Sequence, residues 1–358
     1  MSIYIHIPFC KDICSYCDFC KFYYNEKWVD NYLIALEKEI KTKYNDELIN
    51  TIYIGGGTPT SLNIKQLEKL LQLTKLFNFK NEEFTVETNA DLDEEKIKLL
   101  SKYGVNRISI GMQTVNSKYL KLLNRNHTKE DIINLVNILK KYNFNINLDL
   151  MYALPNQTLD ELNEDLDFIL SLDVNHISTY SLMIEPHTKL YIDNISSIDE
   201  DLDLAMYNLI IKKLNRYNHY EISNFAKENC FSKHNLVYWN NLEYYGFGIG
   251  ASGYLNGIRY DNTKSFSNYI KGDIISSSHK LNRQEIIENE FILGFRKLEG
   301  IDIDLFFEKY NISIDSIKIV KNLLEENKLI KDGNHLKINP KYIYVSNTIL
   351  VNFIDLEV

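Results

Sequence analysis

Four of the chain's five cysteines fall within eleven residues, as Cys10, Cys14, Cys17 and Cys20 of "IHIPFCKDICSYCDFCKF". The first three have the spacing C-x3-C-x2-C. A structural zinc site usually takes two pairs of ligands from separate knuckles, and here the remaining cysteine, Cys230, stands alone. A ferredoxin-type centre closes a four-thiolate set. Three thiolates in one loop can instead hold three irons of a [4Fe–4S] cube, leaving the fourth iron open to an exchangeable ligand. A zinc knuckle or a group of buried thiols is the alternative that the spacing alone leaves standing.

Positioning such a loop takes a scaffold, and the first half of the chain alternates regularly. β-Rich runs occur at "SIYIHI", "TIYIGGG", "EFTVET", "NRISIGMQ", "FNINLDLMY" and "NHISTYSLM". Helical patterns lie between them. In "EKWVDNYLIALEKEI", Val29, Tyr32, Leu33, Leu36 and Ile40 share one helix face. Thr158 and Glu161 have capping-box spacing, and Gly104 sits where a helix would end in the left-handed region. Strands alternating with helices predict an α/β fold with a parallel sheet and right-handed crossovers. Six units predict a partial, open (β/α)6 barrel, with functional loops at the carboxyl ends of the strands. The cysteine loop, "GGGTPT", Glu87, Gln113 and Asp149 all fall at or just after such ends. Gly55, Gly56 and Gly57 would let backbone N–H groups approach an anionic ligand there.

After Ile184 the pattern changes. A long helix from about Asp199 to Leu214 leads to "YEISNFA", then to a loop-like, aromatic and Gly-rich stretch, "KHNLVYWNNLEYYGFGIGASGY". The C-terminal part reads as two helices and a hairpin, an α+β appendage like a winged helix. The expected division is residues 1–225 for the barrel and 226–358 for the C-terminal domain. The 358 residues are 45% hydrophobic and 25% charged, as in globular proteins, with net charge −9. No Lys/Arg cluster stands out, so nucleic acid is not an expected partner. No signal-peptide pattern and no membrane-length apolar run is present, so a cytoplasmic protein is expected. In that compartment clustered cysteines point to metal or redox chemistry rather than disulfides.

The cysteine loop resembles the signature of the radical S-adenosylmethionine (SAM) superfamily. "YIHIPFC", "GGGTPT", "VETNAD", "RISIGMQTVN", "LNRNH", "NLDLMYALPNQT", "HISTYSLMIEPHT" and "YEISNFA" resemble, in order, segments of the oxygen-independent coproporphyrinogen III oxidase-like family. The resemblance implies a radical SAM barrel with a [4Fe–4S] cluster on Cys10, Cys14 and Cys17. It also implies S-adenosylmethionine contacts at Tyr4, Tyr16, Gly56, Gly57, Thr58, Glu87, Gln113, Arg125 and Asp149. Glu87 suits the ligand's ammonium or ribose hydroxyls, and Arg125 its carboxylate.

That family has two branches, a decarboxylating oxidase of porphyrin synthesis and a haem chaperone. The oxidase has a fourth cysteine where this chain has Phe19, and a substantial segment before its first strand, where this chain has three residues before Tyr4. "HNLVYW" matches the chaperone branch's H-N-x-x-Y-W motif at His234, Asn235, Tyr238 and Trp239. The resemblance therefore implies haem as cargo, handed to an acceptor protein. The alternative is oxidative decarboxylation of coproporphyrinogen III to protoporphyrinogen IX. Neutral imidazole is a common axial ligand and the two aromatics offer flat faces, so the four motif residues are haem-site candidates. A hydrogen-bonded interior histidine is the competing reading of His234. Cys20 fits neither branch's pattern. A homodimer and peripheral contact with membrane-bound acceptors are compatible with the assignment.

Overall fold

The computed structural model describes residues 1–356. The barrel half runs β1 (Ser2–Ile7), the two-residue β2 (Phe9–Cys10) and β3 (Phe22–Tyr23), α1 (Glu26–Lys43), β4 (Ile49–Gly56), α2 (Ile64–Leu73), β5 (Phe79–Thr88), α3 (Glu94–Lys102) and β6 (Arg107–Gln113). It continues with α4 (Ser117–Leu122), α5 (Lys129–Lys141), β7 (Asn145–Tyr152), α6 (Leu159–Leu172) and β8 (His176–Ser181). Strands β1, β4, β5, β6, β7 and β8 are neighbours in that order, and every pair is parallel. The six expected units are all present. So are the local signals: Thr158 and Glu161 form the capping box of α6, and Gly104 follows α3 with φ of 81°.

The strands are two-faced. Ile3, Ile5, Ile52, Ile54, Val86, Ile108, Ile110, Ile146, Leu148 and Ile177 are buried in the core that also holds Val29, Leu33, Leu67, Leu71, Ile97, Leu135 and Leu166 of the helices. Burying such aliphatic side chains contributes roughly 1.5–3 kcal/mol each. The alternate positions point the other way and are mostly polar: Ser2, Tyr4 and His6; Thr51, Tyr53 and Gly55; Glu83, Thr85 and Glu87; Arg107 and Ser109; Asn147 and Asp149; His176, Ser178 and Tyr180. They bond to one another across the strands, as in Thr51 Oγ1 to Ser2 Oγ (2.8 Å), Asn147 Nδ2 to Ser109 Oγ (2.7 Å) and His176 Nδ1 with Asn147 Oδ1 (2.7 Å). The usual (β/α) barrel fills its interior with branched apolar side chains. This one keeps a hydrogen-bonded polar interior.

The second half is not a separate layer. After α7 (Lys189–Ile192) and α8 (Glu200–Lys213), β10 (Asn224–Ala226) adds antiparallel to β8, and β9 (Asn218–Glu221) pairs antiparallel with β10 at the edge. The stretch expected to be loop-like holds α9 (Lys233–Trp239), β11 (Tyr244–Phe247) and most of β12 (Ser252–Leu255), and β13 (Ile258–Asn262) follows it. With α10 (Phe266–Lys271) between them, β13 pairs with β14 (Ile275–Lys280). β11 lies parallel to β1 on its free side, and β12 to β14 follow antiparallel, giving one sheet of twelve strands with β14 and β9 at its edges. The barrel is thus open, and the division expected at residue 226 falls within one continuous sheet. Main-chain pairing of β11 with β1 is the physical reason.

The appendage follows α11 (Arg283–Gly294): β15 (Ile301–Asp302), α12 (Ile303–Tyr310), α13 (Lys318–Glu325), β16 (Leu329–Asp332), β17 (His335–Ile338) and α14 (Ser346–Leu350). Its expected hairpin is β16 and β17, and β15 pairs with β17 to make a three-stranded sheet ordered β15-β17-β16. Phe291, Phe295, Phe306 and Phe353 fill its core with ring centroids 4.6–5.8 Å apart.

Candidate cluster and cofactor site

The cysteine loop leaves the carboxyl end of β1. Its base is pinched by β2 and β3, where Phe9 faces Phe22 and Cys10 faces Tyr23 in parallel register. Its middle is tied down by main-chain bonds from Ser15 N to Leu123 O (3.1 Å) and Leu190 N to Ser15 O (3.0 Å), and by Asn124 Nδ2 to Ile13 O (2.8 Å). The segment "LNRNH" is therefore a clamp for the loop. Arg125 completes it, donating to Tyr16 Oη (2.7 Å) and Asn89 Oδ1 (2.5 Å). Asn89 Nδ2 reaches Thr58 Oγ1 (3.3 Å), and Thr58 Oγ1 lies 3.7 Å from Cys10 Sγ. Tyr16, Arg125, Thr58 and Cys10 thus belong to one hydrogen-bonded arc. Asn89, its middle member, was not singled out from the sequence, although it stands in "VETNAD" two residues past Glu87.

Inside the arc, Glu87 projects from the end of β5 across the mouth. Tyr53 Oη donates to its Oε1 (2.6 Å) and Gly56 N to its Oε2 (2.9 Å). A Cβ on Gly55 would stand 2.5–2.7 Å from that carboxylate, so the glycine's role is to make room for Glu87. Gly57 is pressed against the backbone of Ile7 and Phe9. The triple glycine serves packing as much as ligand approach. Burial pushes the Glu87 carboxyl up to about 7 despite its two donors. Burial also raises Asp149, which accepts from Asn147 Nδ2 at 2.8 Å.

Gln113 closes the next strand end at φ of 66°, and Gly111 beside it leaves space for the Arg125 guanidinium, 3.1 Å from where its Cβ would be. Tyr4 lies deeper, its hydroxyl 2.9 Å from His6 Nδ1. The other nitrogen of His6 reaches Cys20 O (2.8 Å), which ties the loop's far end to the barrel interior.

Among the described residues no three His, Cys, Asp or Glu side chains are already drawn together as a metal-binding group. The donor set still fits an iron–sulfur cluster. Three thiols share one clamped loop, and burial, with a smaller contribution from the nearby Cys14 and Cys17, holds Cys10 at about 11, so that positive metal would favour its thiolate. The cradle of Glu87, Arg125 and Asp149 beside it presents both signs of charge to a zwitterionic ligand. Cys20 turns elsewhere, its Sγ 3.9 Å from Lys264 O. Cys230 is remote from the loop, with Asn175 Nδ2 3.8 Å from its Sγ.

The H-N-x-x-Y-W residues lie on α9 at the opposite, amino-terminal mouth. His234 is buried, with Nδ1 2.8 Å from Thr51 Oγ1 and Nε2 2.7 Å from Tyr238 Oη. Burial pushes its pKa down to about 3. Asn235 N bonds to the capping Ser232, and the Trp239 ring lies under the Arg296 guanidinium at 4.7 Å. Both imidazole nitrogens are used internally, so the competing interior-histidine reading matches this geometry.

Comparison with known proteins agrees with the architecture. Residues 4–169 match the radical SAM superfamily. The heme chaperone HemW of Lactococcus lactis is 39% identical, covering 99% of this chain and 97% of its own. The heme chaperone HemW of Bacillus subtilis is 41% identical over 91% of each chain. Among solved structures, coproporphyrinogen III oxidase (HemN) of Escherichia coli, a radical SAM enzyme, superposes with a TM-score of 0.86 over 98% of this chain and 89% of that one, at 23% identity. The last likeness shows a shared fold. The near full-length relatives go further: this chain belongs to the radical SAM superfamily and, within it, to the HemW family.

Proposed function

We propose that this protein is a haem chaperone that binds haem and passes it to an acceptor protein. The observation that carries the reading is the likeness, over 91% or more of the chain, to two heme chaperones at 39% and 41% identity. Cys10, Cys14 and Cys17 would hold a [4Fe–4S] cluster, and Tyr16, Gly56, Gly57, Thr58, Glu87, Gln113, Arg125 and Asp149 a molecule of S-adenosylmethionine beside it, with Tyr4 behind them. When bound, that pair supplies one-electron cleavage of the sulfonium to a carbon radical. Arg125, oriented by Asn89 and Tyr16, suits the ligand's carboxylate, and Glu87, oriented by Tyr53 and Gly56, suits its ammonium or ribose hydroxyls. Among the described residues no helix is long and apolar enough to cross a membrane. We place the protein in the cytoplasm, with contact to membrane acceptors peripheral and a homodimer compatible.

The retained polar mouth favours a second reading, the decarboxylating oxidase. Anaerobically reconstituted protein separates the two. One aliquot is titrated with haem and followed at the Soret band. Another receives coproporphyrinogen III, S-adenosylmethionine and reductant, and its products are analysed. Stoichiometric haem binding without decarboxylated product is expected. Turnover to protoporphyrinogen IX would establish the oxidase instead.

A further inference from the structure

The H-N-x-x-Y-W helix is fastened into the lower mouth of the barrel by directed bonds. The buried carboxylate of Glu83 on β5 accepts from the backbone N–H groups of Lys233 (2.9 Å) and His234 (3.0 Å), where an anion complements a helix start. Thr51 gives its hydroxyl proton to Ser2, so it accepts from His234 Nδ1–H. His234 Nε2 then accepts from Tyr238 Oη–H. This assigns a neutral Nδ1–H tautomer from the network, with no ring nitrogen left for iron. The imidazole lies 5.2 Å from the Tyr53 ring, which has Tyr4 on another side at 6.1 Å. Tyr53 in turn is one of the two donors that aim Glu87.

We propose that His234 is a positioning residue for Glu87, acting through Tyr53, and that α9 is a fixed floor of the barrel rather than a haem site. The inference rests on the assignment of Glu87 to S-adenosylmethionine and is independent of haem carriage. Removing the imidazole opens a void under Tyr53, and the phenol can settle into it. Glu87 then keeps only the Gly56 N–H and swings freely across the mouth.

The test uses the anaerobically reconstituted full chain. S-Adenosylmethionine affinity is read by equilibrium dialysis and by the change in the cluster's electron paramagnetic resonance signal, and haem affinity by the Soret band. Tyr53→Phe keeps the ring and removes the bond to Glu87. It is expected to weaken S-adenosylmethionine binding about tenfold, as for one hydrogen bond to a charged group. His234→Ala is expected to weaken it similarly, with His234→Gln recovering much of the loss because an amide can both donate to Thr51 and accept from Tyr238. In the Tyr53→Phe background, His234→Ala should add no further loss, whereas an indirect structural effect would add in full. Haem titrations should be unchanged throughout. Additive losses, or unaltered S-adenosylmethionine affinity in His234→Ala, would overturn the positioning role. Loss of haem binding in a His234→Ala protein that still binds S-adenosylmethionine would restore the histidine as a haem ligand. If His234→Ala does not fold, Tyr53→Phe decides, and undiminished affinity there overturns the relay. A Glu87→Gln protein of full affinity would instead refute the site assignment on which the relay depends.

Discussion

At the scale of single residues, the thiols divide by where their sulfurs point. Cys10, Cys14 and Cys17 share the clamped loop, while Cys20 faces Lys264 O and is held through its own carbonyl by His6. Serine at any of the first three positions is expected to abolish the cluster's absorbance and its iron and sulfide content. Cys20→Ser should retain them. Glu87 gives a pH test. Its folded pKa, about 7, is above the ordinary value of 4.5, so between these values the folded chain holds a proton that the unfolded chain has lost. Stability from this group therefore falls as pH rises from about 4.5 to 7, by on the order of 1–3 kcal/mol in all. Glu87→Gln should flatten that part of the profile, read from urea midpoints at pH 5, 6 and 7. His6 and His234, pushed down to about 4 and 3, act oppositely: their stability is present above 6.5 and lost as pH falls towards those values.

At the scale of elements, α9 shows what sequence periodicity misses. Seven residues are two turns, too few for an apolar stripe to declare itself, and the segment's Gly-rich neighbours argue for loop. Beyond its local cap, Ser232, what holds it in place is distant: Glu83 at its start and Thr51 beneath it. Truncating that carboxylate in Glu83→Ala leaves the buried His234 N–H and the half-buried Lys233 N–H without acceptors and should cost about 1–3 kcal/mol in urea unfolding. By contrast, α1 and α6 were legible because caps and apolar faces are local. Glu87 and Gln113 fall at strand ends and Asp149 within β7, and it was the family resemblance that made these three legible as site candidates. Asn89, Tyr53 and His6 were not, because their roles consist in bonds to other strands and loops. The period-two alternation of "SIYIHI" and "NINLDLMY", polar inward and aliphatic outward, was the signal that could have revealed the polar interior.

At the scale of the molecule, the six-unit parallel order could be anticipated from alternation, whereas the pairing of β11 with β1 could not. It joins Ser2 to Tyr244 and leaves no local trace. The junction is secured by Glu39 of α1, fully buried, which accepts from Gly248 N (2.9 Å), Asn262 Nδ2 (2.8 Å), Tyr269 Oη (2.5 Å) and Lys43 Nζ (2.8 Å). Glu39→Ala strands these donors and is expected to cost about 3–5 kcal/mol, measured by denaturant unfolding. The same pairing has a consequence for biosynthesis. β1 leaves the ribosome first, but one of its two sheet partners is translated only after all the other parallel strands. At about 5–20 residues per second, that wait is on the order of ten to fifty seconds. Throughout it, β1 offers a bare main-chain edge right beside the nascent cysteine loop, open to wrong strands and to stray metal alike.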